Sequence, residues 1–139
     1  MGESKLPSNV ARFEQLMYLA LVIGLFDSAL TWNHNVALAG KLGGVYFVLF
    51  GQAFVFVFIV LFIWLVARRR KNWARWLMLV LFVLGLPPYF GGLHRLLNFE
   101  PVAGALSLVG FLVQVIALSL IFSGNARDWF KTTPTPVQA

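Results

Sequence analysis

The sequence predicts an all-α, integral membrane four-helix bundle, and three observations carry that expectation. The chain is 60% hydrophobic and only 12% charged, with a mean hydropathy of +0.81. Soluble domains are roughly 25% charged, so the five acidic and eleven basic residues are too few to build a water-facing surface. Four long apolar runs follow one another, and the basic residues collect at their ends. At 139 residues the chain is expected to form a single transmembrane domain.

The runs are taken in order. Crossing the hydrocarbon core takes about 20 helical residues. The first span, residues 16–32, is slightly short of that and contains Asp27 near its end. The second, residues 45–67, and the fourth, residues 102–123, meet it easily. The third, residues 74–90, runs into "GLPPYFGG" and is expected to break at Pro87 and Pro88. Neither proline can donate to the carbonyl four residues earlier, on Val83 or Leu84. Residues 1–11 and 131–139 are polar or proline-rich and are expected to be flexible tails. "VALAG" offers a cleavage-like site at Ala37 and Ala39, but the apolar stretch before it is long for a signal peptide, so the first span is expected to be retained.

Sidedness follows from the basic residues. The stretch "RRRKNWAR" between spans two and three holds Arg68, Arg69, Arg70, Lys71 and Arg75. Lys and Arg accumulate in short cytoplasmic loops. With this loop inside, both termini are cytoplasmic, and that side also gains Lys5, Arg12, Arg127 and Lys131. Only Lys41 and Arg95 fall on the other side. Trp64, Trp73, Trp76 and Trp129 then lie at the inner headgroup level, with Trp32 and Tyr89 at the outer one. The expected location is a bacterial inner membrane. The five basic residues of the loop are expected to contact anionic lipids, each contributing about 1 kcal/mol before mutual repulsion.

Small residues mark packed faces inside lipid, where close approach drives association. Ala103, Ser107, Gly110, Gln114 and Ala117 form one stripe on span four. Gln114 is mid-span and is expected to hydrogen-bond a neighbouring helix. Gly51 and Gln52 mark the corresponding side of span two, and Ala20, Gly24, Asp27 and Thr31 that of span one. Asp27 therefore faces the bundle and not lipid. With the third span broken, Asp27, His34, His94, Arg95 and Glu100 are expected to gather in one outer-side polar cluster. Two roles compete for it: a structural pairing of Asp27 with Arg95, and a proton or small-cation site.

The net charge of +6 and pI near 10.4 do not point to nucleic acid, because the basic residues flank spans and line no groove-sized face. The absence of cysteine excludes disulfides and thiolate chemistry. His34 and His94 are too few for an all-histidine metal site, and no cofactor is expected. No motif for nucleophilic, phosphoryl or metal-assisted chemistry is present; "GKLGG" shares only its composition with a phosphate-binding loop. The expected role is non-enzymatic: an accessory, scaffolding or interaction protein of a membrane complex, working as a homo-oligomer or with a membrane-protein partner. The alternative is a small proton- or cation-linked transporter or channel that uses Asp27.

Overall fold

The computed structural model describes residues 5–131, and all of the regular structure in them is helical. Four long helices, α1 (Ser8–Leu30), α3 (Val45–Ala67), α4 (Asn72–Phe99) and α5 (Pro101–Ile121), have the length and composition to cross a membrane. Two short helices accompany them: α2 (Trp32–Leu38) follows α1, and α6 (Asn125–Lys131) follows α5.

The long helices form a ring in which every neighbour runs antiparallel. α5 packs most extensively on α1, then on α4, and α3 closes the ring between α1 and α4. On the α1–α5 side Asn9 meets Ser123 and Ile23 meets Gly110; on the α4–α5 side Arg75 meets Ile121 and Tyr89 meets Ser107. The Arg68–Lys71 turn, the start of α1 and α6 all lie at one end, called the basic end here; the α1–α3 and α4–α5 connections lie at the far end.

Three boundaries differ from expectation, each for a physical reason. α1 begins at Ser8, so residues 8–11 are helix and not tail. Val10 is fully buried with Ala67 of α3 and Ala126 of α6, and that tertiary contact supports a first turn which hydropathy alone does not reveal. Residues 1–4 and 132–139 of the expected tails lie outside the described residues. The third span is not broken: α4 runs unbroken through Pro87 and Pro88 to Phe99. Helix-interior prolines are tolerated in membrane helices when neighbouring groups re-satisfy the freed carbonyls. The fourth helix starts with Pro101 at its first turn, where a missing N–H costs nothing.

The core is concentrated at the basic end. Phe13, Ile63, Val66, Ala74, Ala117 and Ile121 are fully buried, joined by Phe62, Met17 and Leu118. An aromatic ladder, Phe54–Phe58–Phe62, leads down α3 into this core, and Trp73 meets Phe62 edge-on. The helix ends are tied together as well. Glu14 accepts two bonds from Arg68, at 3.2 and 3.3 Å, joining α1 to the end of α3. Asn9 Nδ2 donates to the Ser123 carbonyl at 3.1 Å, and Asn125 donates to the Ser8 hydroxyl at 3.0 Å. Gly124 has to be glycine: its φ is +56°, and a Cβ there would lie 2.7 Å from Asn9 Nδ2.

Candidate functional site

The far half of the same ring is hollow. Small residues hold several of its lining positions: Ala20 and Gly24 on α1, Gly85 and Gly92 on α4, Ser107 and Gly110 on α5. Short side chains and glycines at these positions leave space between α1, α4 and α5. One cavity of about 330 Å³ lies mid-bundle and one of about 440 Å³ lies at the far end. Gly24, Asp27, Tyr89 and Ser107 line both, so the two cavities adjoin at Asp27.

Asp27 is carried into this space by the stripe that the sequence marks on α1, between buried Ala20 and buried Thr31. Its Oδ1 is shielded from solvent and receives no hydrogen bond among the described residues. The Thr31 hydroxyl donates to the main-chain carbonyl of Asp27 at 2.9 Å and leaves the carboxylate untouched. Asn35 in turn donates to Thr31 at 3.1 Å, and Ser28 donates to Gln52 Oε1 at 3.2 Å, linking α1 to α3 at the mouth.

The opposite wall is aromatic. Phe82, Phe111 and Tyr89 stack in sequence, with centroids 5.5 and 4.8 Å apart and planes within 18° and 13° of parallel. The Tyr89 hydroxyl donates to the Ser107 carbonyl at 3.0 Å and fixes the last ring across α4 and α5. Phe90 closes the stack edge-on to both Tyr89 and Phe111.

The expected five-residue cluster is only partly assembled. His34 lines the far-end cavity with Asp27. His94, Arg95 and Glu100 are exposed and line neither cavity, and Asp27 and Arg95 form no ion pair. The unbroken helix accounts for His94. Pro88, Tyr89, Gly92, Leu93 and Leu96 recur at helical spacing on the lining face, and that period carries His94 to the opposite side. Arg95, two turns after Pro88, stays at the edge of the face but is exposed and lines neither cavity. Among the described residues no three of His, Asp and Glu come together.

Of the expected α5 stripe, Ala103, Gly110 and Ala117 are buried and Ser107 and Gln114 are half-buried. A Cβ on Gly110 would lie 3.2 Å from Ile23 Cγ2, so this glycine sets the α1–α5 approach. Gly24 and Gly51 differ. Nothing lies within 4 Å of a Cβ at either, so they are not contact points; both are exposed, and Gly24 lines the hollow while Gly51 does not. Gln114 makes no side-chain hydrogen bond among the described residues; it lines the mid-bundle cavity and a further apolar one of about 240 Å³. Gly85 and Phe111 are not singled out by the sequence; Tyr89, read there as an aromatic of the outer headgroup level, lines both cavities and bonds the Ser107 carbonyl.

The basic loop is also more committed than its composition suggests. Arg68 is held by Glu14. Arg70 stacks 3.5 Å above the Trp129 ring, and Arg75 lies over Phe122 and Phe130 while donating to the Ile121 carbonyl. Arg69 lies 4.8 Å from the Trp64 centroid. Of the five residues expected to contact lipid, Lys71 is exposed with no side-chain partner among the described residues.

What the fold and the site define is a class: an all-α bundle of four helices of membrane-crossing length, with an acid-bearing hollow in one half. Comparisons of the chain with protein-family models, with curated proteins and with solved structures found no match.

Proposed function

We propose that this is an integral protein of a bacterial inner membrane, with both termini cytoplasmic, that works without catalysis as an accessory or scaffolding component of a membrane assembly. The observation that supports this reading is how the polar groups at the basic end are used. Glu14, Arg68, Asn9, Asn125, Arg75 and Arg127 bond one another, main-chain carbonyls or nearby helix ends. Their polar atoms are engaged in tying the helix ends together, although Arg68, Asn125 and Arg127 remain exposed. Work done inside the bilayer, by contact with another copy or another membrane protein, suits such a molecule. A photo-reactive phenylalanine analogue at Phe50, Val83 or Val109 samples three outward faces. One face is expected to give a protein adduct of defined mass; lipid adducts alone from all three overturn the accessory reading.

Asp27 favours a second reading, a small proton- or cation-linked transporter. A carboxylate held inside a membrane bundle without a partner marks an ion or substrate pathway by default. Asp27→Asn is then expected to keep the helical fold and abolish ion-dependent flux in liposomes. Equal flux by the variant overturns it.

A further inference from the structure

We propose that the mid-bundle hollow binds a small organic cation, with its ammonium at Asp27 and its apolar body against the Phe82–Phe111–Tyr89 wall. The inference depends on the second reading only in taking Asp27 as a functional carboxylate, and not on transport.

Three observations select this ligand chemistry. The first is the carboxylate. Asp27 Oδ1 is shielded and lacks a donor, and the one arginine on the far half of α4, Arg95, is exposed and does not pair with it. Burying an anionic oxygen without a partner is costly, and a ligand N–H would supply the missing charge-assisted bond. The second is the wall facing it. Phe82, Phe111 and Tyr89 line the same cavity as Asp27 and offer an apolar or aromatic body ring contacts that a hydrated metal ion could not use. The third is size. At about 330 Å³ the cavity lies at the lower end of the range for small-molecule sites.

A bare divalent cation fits less well, because hard cations take six or more oxygen ligands, and among the described residues Asp27 is the one carboxylate lining the space. The small side chains explain entry: Gly24, Gly92 and Ser107 line the passage between the two cavities or the outer one. Gly85 has nothing within 4 Å of a Cβ, so the space beside it is open to a ligand.

The test compares two probes of nearly equal shape, 2-phenylethylammonium and neutral 2-phenylethanol, titrated by calorimetry into the purified chain in nanodiscs. The ammonium is expected to bind at least about tenfold more tightly, because a hydrogen bond to a charged group contributes more than a neutral one. Asp27→Asn is expected to erase that preference. Gly85→Leu, which fills the hollow and leaves Asp27 in place, is expected to weaken both probes. Equal binding of the two probes by the wild-type chain, or no binding of either, overturns the inference without reference to any variant. Flux is measured separately in liposomes. Asp27-dependent proton or sodium flux without ammonium preference removes the organic-cation site and keeps the transporter; ammonium preference without flux does the reverse.

Discussion

The two halves of this bundle use the same four helices and fill the space between them differently. At the basic end, Phe13, Val10, Ile63, Val66 and Ile121 are the largest fully buried side chains, all within about two turns of the helix ends. At the far end the buried residues are small or polar, namely Ala39, Ala103, Gly104 and Thr31. The far half does not lack large residues. Phe47, Phe50 and Phe54 are there, exposed on α3, while Gly24, Gly85, Ser107 and Gly110 stand among the residues that line the hollow. The hollow therefore follows from where the residues are placed and not from composition. In lipid, where the solvent is as apolar as the side chains, close contact is what holds helices together. The basic half has that contact, and the far half has exchanged much of it for a polar interior.

The comparison breaks first at the core. Phe13→Ala should cost about 3 kcal/mol or more, since truncating a fully buried phenylalanine leaves a cavity its neighbours cannot fill. Leu93→Ala, at a half-buried position already beside open space, should cost about 1 kcal/mol. Reversible unfolding in mixed micelles measures both, and equal losses would mean the halves are equally packed.

Next come the two glycines that a helical repeat treats as equivalent. Gly110→Leu should destabilise by about 1–3 kcal/mol, because Ile23 already stands at contact distance. Gly24→Ala meets nothing within 4 Å and should be neutral, or stabilising by about 0.5–1 kcal/mol through helix propensity. The same unfolding assay separates them, and a loss at Gly24 comparable to that at Gly110 would close the hollow on that side.

A smaller effect distinguishes a paired from an unpaired Asp27. Because Asp27 and Arg95 form no ion pair, the stability changes of Asp27→Asn and Arg95→Gln should add within about 0.5 kcal/mol in the double mutant. Marked non-additivity would restore the structural pairing.

How much of this could be read from the chain depends on what each pattern encodes. The α5 stripe of Ala103, Gly110 and Ala117 and the inward turn of Asp27 were legible, because helical period fixes which residues share a face. Whether a neighbour comes close to that face is a tertiary fact, so spacing could not separate Gly110 from Gly24. The Pro87–Pro88 pair reads as a break because two ladder bonds are lost there; the span continues in spite of it, and that continuity turns His94 away from the hollow. The start of α1 at Ser8 and the whole of α6 depend on Val10, Ala67 and Ala126 meeting, which no local window contains.

The smallest expected effect sharpens the basic end. Arg68, Arg70 and Arg75 are engaged with Glu14, Trp129 and Phe122, so substituting them should lower stability more than lipid retention. Arg69→Gln with Lys71→Gln should do the opposite, reducing anionic lipid retained in native mass spectrometry with little change in stability. Equal lipid loss from both sets would return the loop to a uniform basic patch.

The difference between the halves is tested most directly by water. The chain contains no cysteine, so single substitutions report cleanly. In liposomes, cysteine at Gly24, Gly85 or Ser107 should react with a small charged methanethiosulfonate, because these positions line the hollow. Cysteine at Ala74 or Ala117, both fully buried in the basic half, should remain unmodified under the same exposure. Equal protection of all five positions, or faster reaction at Ala74 and Ala117, would contradict an open far half over a packed basic one.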